Sequence, residues 1–324
     1  MAVAAFPSIL SRSRQAQRRL AGDFDVALEG LPYWICPIGS SCHCRRYGAS
    51  SKTVAASEPS CSVVLMDKLV QHVVDGPVVR LTLDSPHNRN ALSTTLVNQL
   101  HQGLRDAVAN PAVRVVVLGH TGNTFCAGVD LSQASAADPF EMAAERAQEL
   151  AALLRAIVES PVPVIATVNG HVRAGGLGLV GACDIAVAGP RSSFALTEAR
   201  IGVAPAIISL TLLPKMSARG AARYYLTGET FDAGTAAEIG LITMAAEDVD
   251  AAVASLIADV GRASPQGLAA SKALTTAAVL AGFDRDAERL TADSARLFVS
   301  DEAREGMLAF LQKRPPHWAS SEDC

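Results

Sequence analysis

Val164-Ile165-Ala166-Thr167-Val168-Asn169-Gly170-His171-Val172-Arg173-Ala174-Gly175-Gly176-Leu177-Gly178 is the stretch on which the fold turns. Its first half, part of an apolar and largely β-branched run over 162–168, reads as a buried strand closed by Asn169-Gly170. The small apolar residues of 174–182 then predict a tightly packed helix start. A second stretch has the same construction. The apolar run Val113 to Leu118 reads as another buried strand, and Thr121 to Asp130 follows as a glycine-containing loop with Phe125-Cys126-Ala127-Gly128-Val129-Asp130-Leu131 across its end. Glycine lets a backbone approach a ligand closely, and unpaired N–H groups at a helix start are anion donors. One such loop says little, because glycines at strand–helix junctions are often there for packing. Two of them, 46 residues apart between Val129 and Gly175 and each behind a buried strand, point to an oxyanion site.

Outward from this pair the chain alternates. Val79, Leu81 and Leu83 interleave with Arg80, Thr82 and Asp84, the pattern of a half-buried strand. A polar loop runs from Ser85 to Leu92. Ser93 is a good N-cap, and Leu96, Leu100, Leu104 and Val108 predict the inner face of a helix. Leu150, Leu153, Leu154 and Ile157 mark another, ending near Ser160. Residues 184–188 and 193–196 read as short strands. Beyond Ile207 nearly everything reads as helix: 207–226, 231–238, 248–262, 265–281, 284–299 and 301–313. Strands alternating with helices, then helices alone, imply an α/β core over 66–258 and an α-helical C-terminal subdomain over 259–324.

The 324 residues are 49% hydrophobic and 19% charged, enough to bury a sizeable core. The longest apolar stretch, Ala174 to Ala188, is broken by Asp184 and several glycines, so no membrane span is expected. The net charge of −4 is unevenly spread: residues 1–65 sum to +3 and residues 66–324 to −7. That acidic body argues against RNA, whose affinity rests on cationic side chains. Four of seven cysteines (Cys36, Cys42, Cys44, Cys61) lie in the first 65 residues, and the remainder shows no pairing pattern. A body without a disulfide framework fits a reducing, cytoplasmic compartment. Residues 1–65 lack a sustained period and are expected to be poorly structured. A targeting peptide, a disordered tail and an initiator at Met66 are all open readings, the last two favoured by the orderly domain that begins after Met66. Cys42-His43-Cys44 lacks a second ligand pair at finger spacing, and no metal site is expected.

Asn88-Arg89-Asn90-Ala91-Leu92, Phe125-Cys126-Ala127-Gly128-Val129-Asp130-Leu131, Gly175-Gly176 with Cys183-Asp184-Ile185-Ala186-Val187-Ala188, and Thr197-Glu198-Ala199-Arg200-Ile201-Gly202 together resemble the enoyl-CoA hydratase (crotonase) family, over about residues 67–320. The resemblance implies a spiral of ββα units. It implies an oxyanion hole made by the backbone N–H groups of Val129 and Gly175, and a CoA site around Arg89, Ala91, Ala127, Asp130 and Leu131. Phe310 and Lys313 match positions that contact the CoA of a neighbouring subunit in family trimers, so a homotrimer or dimer of trimers is implied. No cofactor is, since coenzyme A belongs to the substrate.

Family hydratases usually hold a water between two glutamates. Glu198 matches the second, while the first is Gly178 here. With Ala204-Pro205-Ala206-Ile207-Ile208-Ser209 in place of a glycine-rich stretch, the chain looks like the branch of 3-methylglutaconyl-CoA and isohexenylglutaconyl-CoA hydratases, in which glycine also occupies that place. The resemblance thus implies hydration of a dicarboxylic enoyl-CoA by Glu198, with Arg173 a candidate for the substrate's own carboxylate. Isomerisation, decarboxylation or thioester hydrolysis on the same scaffold is the alternative. A CoA-ester-binding or RNA-binding protein without turnover is the alternative of another class. Arg200 reads as structural, His171 as a core or interface side chain, and Cys126 and Cys183 as small buried apolar residues.

Overall fold

A computed structural model describes residues 67–130 and 138–319 of the chain. The expectations for residues 1–65, for an initiator at Met66 and for Leu131 lie outside the described residues. The described residues form one compact unit.

Strands β1 (Val70–Asp75) and β2 (Val78–Leu83) form an antiparallel hairpin, and α1 (Thr94–Ala109) follows behind the Ser93 cap, whose side chain accepts from the Leu96 N–H. Three strand pairs come next. β3 (Val115–His120) is followed by β4 (Thr124–Cys126) and α2 (Pro139–Glu159); β5 (Val164–Val168) by β6 (His171–Arg173) and α3 (Gly175–Ala182); β7 (Ile185–Ala188) by β8 (Ser193–Ala195). The first strand of each pair joins a six-stranded sheet, ordered β1-β2-β3-β5-β7 with the short β9 (Met244–Ala245) at its edge. The second strand joins a three-stranded parallel sheet, β4-β6-β8. Each repeat therefore adds one strand to each of two sheets and advances one step, the expected spiral of ββα units.

The apolar runs become strands of the large sheet because both its faces are covered; Val116, Ile165 and Val187 are fully buried. Strands β4, β6 and β9 escape the sequence reading because three or two residues carry no period, β4 lying inside the stretch expected as a loop, and six-residue β1 escapes it because its second half is exposed without alternation. The helix α1 departs in one detail. Val108 is exposed, and Gly103 and Ala107 face the core instead. Steps of four residues drift by about 40° each on a helix of 3.6 residues per turn, so the fourth leucine-type position has rotated off the apolar stripe.

After β8 come α4 (Ser209–Leu212), α5 (Ala218–Thr227), α6 (Ala233–Glu238), α7 (Val249–Gly261), α8 (Pro265–Phe298) and α9 (Asp301–Leu311). The helix expected over 207–226 is two, parted at Pro214, which lacks an N–H to continue the ladder. The two expected over 265–281 and 284–299 are one, since the chain runs through Gly282 unbroken and Phe283 anchors the helix in the core. The boundary expected at 258/259 falls inside α7. Helix α8 lies along α2, and its buried Lys272 Nζ meets Asp184 Oδ2 at 2.7 Å and the Ile157 carbonyl at 2.8 Å.

Candidate active site

The three strands of the small sheet run parallel, so their carboxyl ends lie on one edge. Cys126 pairs with Val172 and Arg173 with Ala195, which sends three loops off that edge: 127–130, 174–175 and 196–198. Ligand sites in parallel sheets form outside the carboxyl ends of the strands. This is where the sequence analysis put Val129, Gly175 and Glu198.

Asn90 sets the first loop. It is fully buried in a left-handed conformation at φ 54°, its Oδ1 accepting from Ser85 N–H at 2.7 Å and its Nδ2 donating to the Thr121 and Thr124 carbonyls at 3.1 and 2.8 Å. With the post-β2 loop thus fixed to β4, a short ladder follows. Ala127 N–H donates to the Arg89 carbonyl at 3.1 Å, Leu92 N–H to Gly128 at 2.7 Å, and Asp130 N–H to Leu92 at 3.1 Å. Arg89, Ala91, Ala127 and Asp130, expected around the CoA, are therefore brought together by backbone bonds, with Arg89 exposed at the rim.

The second loop arrives against the first. Gly128 has φ 97°, and a Cβ there would lie 2.7 Å from the Ala174 Cβ and 3.3 Å from the Gly175 nitrogen. Only glycine satisfies both the dihedral and the contact. Neither the Val129 N–H nor the buried Gly175 N–H has a hydrogen-bond acceptor among the described residues. Buried amides are almost always paired, so an orphan amide at a helix start next to another orphan is a site for an oxygen anion. Ala174 turns β6 into α3 at φ 46°, ψ −122°, a conformation natural to glycine and one that costs alanine about 1–3 kcal/mol.

Glu198 opens the 3-10 turn Glu198–Ile201, three residues beyond β8. Its Oε2 is buried without a partner, and burial pushes the carboxyl up to about 7, against a smaller opposing effect from its own backbone N–H. Helix α9 braces this turn, for a Cβ on Gly306 would lie 2.5 Å from the Ile201 carbonyl. Arg200 is exposed, and its Nε donates to the Thr227 carbonyl at 2.9 Å.

Gly178, where the first glutamate would stand, has no room for a side chain. A Cβ there would lie 2.6 Å from Ile208 Cγ2 and 3.1 Å from Leu154 Cδ1. The two sequence departures, at 178 and over 204–209, are thus one packing arrangement. Two hydroxyl side chains given no role by the sequence, Ser209 and Tyr225, lie beside Ile208 on α4 and across from it on α5, with 3.2 Å between their oxygens. Ser209 enters the sequence reading only as the end of the 204–209 departure, and nothing there marks Tyr225, which sits on a helix whose apolar neighbours dominate the pattern.

The remaining candidates are less central. Arg173 is half-buried; its guanidinium donates to the Val172 and Ser193 carbonyls and to Ser193 Oγ, bracing β6 against β8, and no acidic side chain among the described residues pairs with it. Phe310 and Lys313 are exposed at the end of α9. His171 is exposed, with Nδ1 2.8 Å from Ser193 Oγ, which corrects the expectation of a core side chain within this chain: it lies on the outward side of β6. Cys126 and Cys183 are buried thiols pushed up to about 12 by burial, and hence unreactive.

Residues 74–321 match the family profile described as Enoyl-CoA hydratase/isomerase. The chain belongs to the enoyl-CoA hydratase/isomerase family. A crystal structure of an enoyl-CoA hydratase from Mycobacterium avium is similar at 76% identity, covering 78% of this chain and all of that one with a TM-score of 0.75. The human enoyl Coenzyme A hydratase domain-containing protein 3 structure is similar at 25% identity, 78% and 100% coverage and a TM-score of 0.62. The mitochondrial enoyl-CoA hydratase domain-containing protein 3 of Danio rerio is 31% identical over 259 residues, 77% of this chain and 87% of that protein. For a member of the hydratase/isomerase family, the orphan amides and Glu198 fall in loops that the spiral fold delivers to one edge.

Proposed function

We propose that this protein is a hydro-lyase that adds water across the 2,3 double bond of an enoyl-CoA. The observation that carries the reading is Glu198, a partly orphaned buried carboxyl raised to about 7 at the strand edge that also presents two unpartnered amides. In the proposed reaction the thioester oxygen accepts from Val129 and Gly175 N–H. Glu198 takes a proton from water as its oxygen bonds to the β-carbon, and the double-bond electrons move onto the thioester oxygen. The enolate then collapses, and the Glu198 carboxylic acid returns a proton to the α-carbon. No net acid or base is consumed. A general base of this kind contributes about 10²–10⁴ in rate.

The substrate we propose is a branched dicarboxylic enoyl-CoA of the 3-methylglutaconyl-CoA type, met in leucine and isovalerate breakdown. Gly178 removes one protein carboxylate from the usual pair, and Arg173 is a half-buried cation without an acidic partner two residues from the Gly175 amide. Both favour a substrate that carries its own negative charge. Exposed Phe310 and Lys313 would meet the CoA of a neighbouring subunit in a trimer or dimer of trimers, in the cytoplasm. A second reading, double-bond isomerisation, draws on the same filled space at Gly178, because one glutamate suffices to move a proton between two carbons.

Side-by-side assays with crotonyl-CoA and 3-methylglutaconyl-CoA decide between them. Hydration of the dicarboxylic substrate in preference to crotonyl-CoA, lost in Glu198→Gln, is the expected result. A shifted double bond without uptake of water would replace hydration by isomerisation, and turnover of neither would remove both.

A further inference from the structure

Hydration needs more than one contact to the water. A single carboxylate leaves one O–H of the nucleophile unguided, and the space of the first glutamate, at Gly178, is filled by Ile208 and Leu154. The residue after Ile208 is Ser209, and its hydroxyl hydrogen is already committed: Ser209 Oγ donates to the Pro205 carbonyl at 2.7 Å, an atom that can only accept. The 3.2 Å contact between Ser209 Oγ and the Tyr225 hydroxyl must therefore be donated by tyrosine. That fixes the polarity of the phenol. Its one hydrogen points at Ser209, and only lone pairs remain for any other partner. Helix α5, which carries Tyr225, packs on the turn that begins with Glu198. Burial pushes the phenol up to about 12, with a smaller push from the Glu198 charge, so the O–H persists at neutral pH.

We propose that Tyr225, held by Ser209, is the second acceptor for the attacking water: Glu198 takes the proton that leaves, and the Tyr225 oxygen accepts the O–H that stays. The assignment rests on the hydration reading above. It explains how the chain dispenses with a carboxylate at 178: a phenol oxygen oriented from α5 replaces an oxygen projected from α3. No atoms are exchanged with Tyr225, which forms and releases one hydrogen bond per cycle.

The test separates water addition from enolate formation. Tyr225→Phe keeps the ring and its packing and deletes only the oxygen. Hydration of the enoyl-CoA should fall about tenfold or more, while exchange of the α-protons of butyryl-CoA with deuterated solvent, which needs Glu198 and the amides but no positioned water, should stay within about twofold. Ser209→Ala leaves the phenol in place but frees its O–H to turn, and should give a smaller loss confined to hydration. Glu198→Gln should lose both reactions. Equal loss of both reactions in Tyr225→Phe would reveal a merely structural contact and overturn the assignment. Unchanged hydration in the two hydroxyl variants would overturn it as well. Wild-type protein that exchanges α-protons yet hydrates no enoyl-CoA would strike at the hydration reading itself, and the role of Tyr225 would go with it.

Discussion

Glu198 has two jobs that conflict. As a base it must be ionised, yet its buried Oε2 has no partner to stabilise the charge. Its folded value near 7 lies above the ordinary 4.5, so the folded state holds the proton more tightly than the unfolded chain does. The stability this contributes is complete below about pH 4.5 and is lost as pH rises through about 7. Activity runs the other way, because the carboxylate is the working form. kcat/KM should therefore fall on the acid side with an apparent value of about 7, and Glu198→Gln, besides losing turnover, should melt higher than wild type. The margin should grow between pH 5 and pH 7.5 and then level off. A Glu198→Gln protein whose melting temperature matched wild type at both pH values would show that the carboxyl is solvated and unperturbed. The sequence made Glu198 visible through its motif, and its protonation was invisible there. Helices α9 and α5 pack against the turn that Glu198 opens, an arrangement that no local pattern encodes.

At the scale of elements, helices α3 and α4 show how a missing residue is a packing statement. The resemblance located Gly178 as a departure, and the same reading noted Ala204–Ser209 as another, but only the contact joins them. A side chain at 178 would enter Ile208 and Leu154, and overpacking of this kind costs about 1–3 kcal/mol or more. Gly178→Glu should therefore destabilise the protein in denaturant unfolding and should not raise activity. Combined with Ile208→Ala, which opens the space, it should cost clearly less than the sum of the two single changes. Additive costs would mean that the two sites do not share the space. The same limit on local reading accounts for the other differences along the chain. Helices were expected to end at 281 and restart at 284, on either side of Gly282, yet an isolated glycine costs a helix only about 1 kcal/mol, and the burial of Phe283 outweighs it. Strand β6 was unreadable at three residues, although it carries the loop that ends in the Gly175 amide. Motif chemistry was legible wherever a glycine or a cap was needed for a local reason. Partners across elements were not.

For the whole molecule, the question is what makes the C-terminal helices part of the same body as the spiral. The helical tail could be read from periodicity, and so a separate subdomain was expected from 259 onward, but amphipathy says that a face is buried without saying against what. The answer is α8 lying on α2, with Lys272 driven through the contact to Asp184, which also accepts from the Val164 N–H at 2.8 Å at the head of β5. Asp184 thus ties the strand that leads to the Gly175 loop to a helix more than 80 residues away in sequence. Both charges are almost fully withdrawn from water, so removing one leaves the other uncompensated, at a cost of about 3–5 kcal/mol, whereas neutralising both does not. Lys272→Met should destabilise by about that amount. Lys272→Met with Asp184→Asn should recover part of the loss, because an asparagine oxygen can still accept from Val164 while neither member of the pair is left charged without the other. Chemical denaturation of the three variants measures the cycle. A double variant no more stable than Lys272→Met alone would mean that the lysine matters for packing against the Ile157 carbonyl and not for its charge. It would also remove the electrostatic reason for treating spiral and helices as one folding unit.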